Sequence, residues 1–148
     1  MARSGKPGAA WAANRMICTA DIEAFINGVM IGRLYAPNGN PFPGPKFDYK
    51  LLWLERLITH AQKLLSFGLP AALVGDYNIM PTDPDTYKPD KYRNNAQFRK
   101  EVRELFETML AQGWTGAIRK LYPNKQIYTF TCGRPMAVTP ACGSTIFY

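Results

Sequence analysis

A chain of 148 residues, 47% hydrophobic and 20% charged, is long enough for one domain with its own core. As a whole it is not disordered, collagenous or a coiled coil. Eighteen basic against eleven acidic residues leave a net charge of +7, which points to polyanions, nucleic acid first.

Residues 1–19 are rich in Ala and Gly, show no period and lack the apolar core of a signal peptide; they are expected to form a loose leader. Structure is expected from about residue 20. Ile22, Ala24 and Ile26 alternate before Asn27-Gly28, and Val29, Ile31 and Arg33 follow. That pattern predicts a hairpin whose second strand ends at Leu34-Tyr35. Between Ala36 and Pro45, four prolines and two glycines exclude helix and central strand. Asp48 is placed to cap the next helix. Its apolar face is Leu51, Leu54, Leu57, Ile58, Ala61, Leu64 and Leu65, and Gly68 and Pro70 end it.

Ala71 to Val74 reads as a buried strand that runs into Gly75-Asp76-Tyr77-Asn78. A second Pro-rich loop spans Pro81 to Asn94. A second helix covers about Phe98 to Gln112, with Phe98, Val102, Leu105, Phe106 and Met109 inward and Gly113 as its stop. A short helical turn and a strand, Gln126 to Phe130, follow. From Thr131 onward no period survives, and Arg134 is the one charged residue. Strand–helix–strand–helix order around a buried strand gives an α/β class. Cys18, Cys132 and Cys142 form no CxxC pair, which argues against a zinc site or a disulfide framework and suits a reducing cytoplasm. No apolar run is long enough to span a bilayer.

The sharpest chemical feature is Asp76 and Asn78 at the end of the buried strand, where α/β folds place ligands. A carboxylate there can take a proton from water, and an amide beside it can donate and accept at the same centre. The same two residues also suit a loop that simply follows the strand. Tyr35 either hydrogen-bonds a phosphate or packs as a strand aromatic. Asn38 and Asn40 read as turn residues, and Lys46 as a phosphate contact or a solvated cation. His60, the single histidine, reads as a helix-edge residue. Lys88, Lys91, Arg93, Arg99, Lys100 and Arg103 form a basic stretch able to follow a nucleic-acid backbone or to solvate a loop and a helix.

Four segments carry a resemblance: Tyr35-Ala-Pro-Asn-Gly-Asn-Pro, Pro43-Gly-Pro-Lys-Phe-Asp-Tyr-Lys, Gly75-Asp-Tyr-Asn-Ile-Met-Pro-Thr-Asp and Ile127-Tyr-Thr-Phe. In this order and spacing they resemble bacterial exodeoxyribonuclease III, of the endonuclease/exonuclease/phosphatase superfamily, over about residues 20–130. The resemblance implies a DNase I-like α/β sandwich, here incomplete. It also implies a Mg²⁺-dependent phosphodiesterase that acts on duplex DNA from 3′ ends and at abasic sites. Asp76 corresponds to the residue that activates water, Asn78 to the one that orients nucleophile and phosphate, and Tyr35 to the one that holds a phosphate oxygen. Asn38, Asn40 and Lys46 lie inside the shared motifs and are assigned to substrate binding.

The departures bear on activity. The resemblance lacks the segment with the metal-binding Glu, so no metal ligand is assigned and Mg²⁺ binding is expected to be impaired. It also lacks the Gly-Leu-Arg-Ile-Asp-His segment. Trp114-Thr-Gly-Ala stands where the pattern usually has Asp at the third position. Codons chosen within the degeneracy of Pro140 to Phe147, followed by the TA of Tyr148 and read from the third base, encode Gly-Leu-Arg-Ile-Asp-His-Phe-Leu. Residues 131–148 are therefore expected to be an out-of-frame tail. The sequence expectation is a central fragment with little or no activity and exposed sheet edges prone to aggregation. The rival reading is a non-enzymatic DNA-binding remnant. A phosphatase-type member of the superfamily is disfavoured by the Pro-Asn-Gly and Gly-Pro-Lys loops.

Overall fold

The computed structural model describes residues 22–86 and 88–127 together with the backbone of 144–147. The elements are β1 (Ile22–Ile26), β2 (Val29–Tyr35), α1 (Pro45–Ser66), β3 (Ala71–Asp76), α2 (Lys100–Ala111), β4 (Thr115–Gly116), α3 (Ala117–Leu121) and β5 (Ser144–Phe147). They build one five-stranded mixed sheet in the order β1-β2-β3-β5-β4. The β2–β3 pair is parallel, and the other pairs are antiparallel. The α/β class expected from the pattern is the one observed. Among the described residues no helix is long and apolar enough to cross a membrane.

The hairpin forms where Asn27-Gly28 predicts it. Both residues have positive φ, 49° and 86°, as a two-residue turn of the primed type requires. The crossover from β2 to β3 then runs through α1, the arrangement a parallel pair needs. Helix α1 buries Phe47, Trp53, Leu54, Leu57, Ala61 and Leu64 against Met30, Leu34, Ala71 and Leu73 of the sheet. Each large apolar side chain buried there contributes roughly 1.5–3 kcal/mol. Helix α2 adds Val102, Phe106 and Met109, and the Phe106 ring meets Tyr77 edge-on at 5.9 Å.

Several expectations shift. Helix α1 starts three residues before Asp48, with Gly44 as its N-cap and Pro45 in the first turn. Proline suits that position because the amide it lacks has no intrahelical partner there, and Asp48 serves the first turn rather than the cap. Phe98 belongs to a short 3-10 turn, Ala96–Phe98, so α2 begins at Lys100. Gln126 and Ile127 lie in no regular element. Residues 128–130, the leader 1–19 and most of the tail fall outside the described residues. No period marks the tail in the sequence; its residues 144–147 supply β5, antiparallel to β3 from Ala72–Phe147 to Gly75–Ser144.

Candidate active site

The carboxyl ends of β2 and β3 lie side by side, with Tyr35 and Asp76 partners in the register. Gly75 makes that closeness possible. Its φ is +140°, and a Cβ there would stand 1.9 Å from the Leu34 carbonyl oxygen. No other residue fits. The Ala36 amide then donates to the Asp76 carbonyl at 2.8 Å, which carries the pairing one step beyond the strands. Tyr35 is 57% exposed, so its hydroxyl end is open to a ligand, and packing does not account for its position.

Asp76 and Asn78 are close but serve the loop differently. The Asn78 amide N–H donates to Asp76 Oδ1 at 2.8 Å, the local turn that Asp favours after a strand. Asn78 itself is buried and left-handed, φ 48°, so the alternation of β3 stops at Asp76. Its Nδ2 donates to the Ala36 carbonyl at 2.8 Å, and its Oδ1 accepts from Gln97 Nε2 at 2.6 Å. The side chain binds loop to loop, while the backbone N–H holds Asp76. Tyr77 points into the core, its hydroxyl donating to the Leu73 carbonyl.

Beside this pair lies an open pocket of about 430 Å³ lined by Pro37, Asn38, Gly39, Asn40, Pro45, Lys46 and Tyr49. The three residues assigned to substrate binding therefore share one concavity, at the start of α1. Lys46 and the helix N-terminus both favour an anion there. Asn40 is an internal tie as well as a lining residue. Its Nδ2 donates to Asn38 and Asn95, and its Oδ1 accepts the Ala96 amide at 3.0 Å.

Lys50 is the residue that sequence reasoning missed. It is 0% exposed, and its Nζ donates to the carbonyls of Pro37 at 2.8 Å and Asn78 at 2.7 Å. Burial lowers its pKa from 10.5 to about 7, while the Asp76 carboxylate acts to raise it. A signal was present: Lys50 lies four residues before Leu54 and seven before Leu57, inside the apolar stripe of α1.

Other candidates are occupied elsewhere. His60 pairs with Glu23 between α1 and β1. In the basic stretch, Arg93 pairs with Asp90, Arg99 with Glu101 and Lys100 with Glu104. Arg103 donates to the Met80 carbonyl and pairs with Asp83. Arg99 and Arg103 also lie over the Phe42 and Phe98 rings. Much of that charge is therefore paired with near neighbours, and Arg103 fastens the second loop to α2. A hard divalent cation needs several oxygen ligands. Among the described residues no group of three or more His, Cys, Asp or Glu is arranged to hold one, so these donors do not fit Mg²⁺ as a set.

No family model matches the chain. An exodeoxyribonuclease of Bacillus subtilis is 31% identical over 96 residues, 65% of this chain and 37% of the relative. Among solved structures, an AP endonuclease from Archaeoglobus fulgidus superposes with a TM-score of 0.77 at 32% identity, covering 86% of this chain and 52% of the other. The 3′ phosphatase NExo from Neisseria, bound to product DNA hairpin, gives 0.77 at 26% identity and covers 51% of that chain. The chain thus spans about a third of the curated relative and about half of the solved ones. The resemblance read from the four motifs is borne out over this length, and the fold is part of a DNase I-like α/β sandwich.

Proposed function

We propose that the chain provides one wall of a DNA phosphodiester hydrolase site of the exodeoxyribonuclease and AP endonuclease type, with duplex DNA as its ligand. The observation that carries this is the register pairing of Tyr35 with Asp76 beside the Asn38–Lys46 pocket. A phosphodiester group set against that wall meets a phenol donor, a carboxylate and a cation. Asp76 takes a proton from water, and the water oxygen forms a bond to phosphorus. The P–O bond to the 3′ oxygen breaks, and that oxygen leaves with a proton from solvent. Tyr35 donates to a non-bridging oxygen, and Lys46 offsets charge at the pocket. Asn78 orients Asp76 through its backbone N–H.

Mg²⁺ would supply further charge stabilisation in such a site, but no step here runs through it because the described donors do not assemble its ligand set. One donor aimed at developing charge is commonly worth ~10²–10³ in rate. A wall whose described residues offer no metal set, and no such donor beyond Tyr35 and Lys46, is therefore expected to bind DNA and to turn over near background. The test is nucleotide release from a 3′-recessed duplex with Mg²⁺, beside Asp76→Ala. Release at background for both proteins is the expected result. Robust release abolished by Asp76→Ala would show a working nuclease and overturn the reading of a single wall.

A further inference from the structure

The loop after β2 and the loop after β3 meet through Asn78 Nδ2 on the Ala36 carbonyl and, one residue further on, through a buried amine. Lys50 Nζ reaches the Pro37 carbonyl in the first loop and the Asn78 carbonyl in the second, at 2.8 and 2.7 Å. Both oxygens belong to loop backbone, where a buried carbonyl left unpaired is destabilising. The lysine stem is held as firmly as its head. Gly39 lies against it, and a Cβ on Gly39 would come 2.6 Å from Lys50 Cδ. Packing alone would be met by methionine or leucine. An amine adds two directed N–H bonds, one for each loop.

Resting on the single-wall reading above, we infer that Lys50 is a positioning residue: its clamp on Pro37 and Asn78 sets the spacing of Tyr35, Asn38 and Asp76 for one phosphodiester group. Asn38 follows Pro37 directly, and Tyr35 lies two residues before it. Asp76 is tied to Asn78 through the amide bond at 2.8 Å. Displacing either carbonyl therefore moves a site residue. Asn78 is braced once more from Gln97, through its Oδ1, and holds Ala36 through its Nδ2; the Pro37 carbonyl is held by Lys50. The Asp76 carboxylate acts to raise the proton affinity of the amine against the effect of burial. A neutral amine has two protons for two carbonyls, so the clamp is satisfied even in the form that burial favours.

The experiment compares the full chain with Lys50→Met, which keeps the stem and removes the donors. Binding is measured to a 3′-recessed DNA duplex without added metal, together with backbone amide resonances. Lys50→Met is expected to weaken binding about tenfold, the loss of roughly one net hydrogen bond to a charged group. It is also expected to shift the Asn38 and Asp76 amides together while Trp53 fluorescence stays that of a folded core. Amide shifts confined to α1, with binding within about twofold, would overturn the clamp. If the parent binds no duplex, the single-wall reading fails, and the paired loop shifts still decide the clamp. Should Lys50→Met not fold, the unmodified chain answers. The ¹³C resonances of the Pro37 and Asn78 carbonyls must titrate with Lys50 Nζ at one midpoint near 7, and carbonyls that ignore that titration refute the proposal.

Discussion

The two faces of the β1–β2–β3 sheet differ in how completely they are covered. On one, Met30, Leu34, Ala71 and Leu73 are buried beneath Trp53, Leu54, Leu57 and Ala61. On the other, Ile22 is 64% and Ile26 52% exposed, beside half-buried Val29, Ile31 and Val74. Tyr35 falls on this open side by strand alternation from Ile31 and Arg33, with Asp76 as its partner in register. The covered face fixes where the strands end, and the open face presents what those ends carry. That is why a chain spanning about half of the solved AP endonuclease still holds a defined wall.

The comparison breaks most completely at Gly75. Its φ of +140° and the 1.9 Å approach of a would-be Cβ to the Leu34 carbonyl leave alanine no place unless β2 and β3 separate. Gly75→Ala is expected to cost more than about 4 kcal/mol, in the range reserved for direct steric or backbone conflict. Circular dichroism should show lost structure at room temperature. A folded Gly75→Ala protein would mean that the β2–β3 spacing at the site is not fixed by this contact.

A second test uses pH on the covered side. Lys50 in the unfolded chain holds its proton up to about its ordinary 10.5, whereas in the folded chain burial lowers that to about 7. Between these values the unfolded state binds more protons, so Lys50 makes stability rise with pH through this window. Urea midpoints at pH 7 and pH 9 should therefore rise for the parent relative to Lys50→Met. A parent midpoint that falls by as much as the variant's would place Lys50 in water.

How far the sequence announced these features depends on whether the signal was local. The hairpin at Asn27-Gly28, the α1 stripe and the strand ending at Asp76 each follow from neighbours within one turn or one strand, and each stands where the pattern places it. Two strand residues, Tyr35 and Asp76, become partners only through the parallel register, which has no local signature. The partners of the Asn78 side chain had no local signal, because the Ala36 carbonyl that accepts from it and the Gln97 amide that donates to it are 42 and 19 residues away in sequence. Lys50 was visible as a charge in an apolar stripe. What it binds was not, since its acceptors are main-chain atoms of two loops. The basic stretch was legible as charge, but its pairing with Asp90, Glu101, Glu104 and Asp83 is a matter of side-chain geometry.

The smallest expected effect sharpens the comparison from the open side. Ile22→Thr with Ile26→Thr keeps β-branched side chains, so strand preference is nearly unchanged, and the methyls removed are already largely in water. Stability should change by no more than about 0.5 kcal/mol. Leu57→Ala, at a side chain 2% exposed under the other face, should cost about 2–5 kcal/mol. The double threonine variant should also stay monomeric at higher concentration, because β1 is a sheet edge and apolar edges invite pairing with another chain. Urea unfolding gives the first quantity and sedimentation the second. If the threonine pair costs as much as Leu57→Ala, the open face is covered in solution and the contrast between the two faces fails; if it costs little and suppresses association, that face is where this chain meets other molecules.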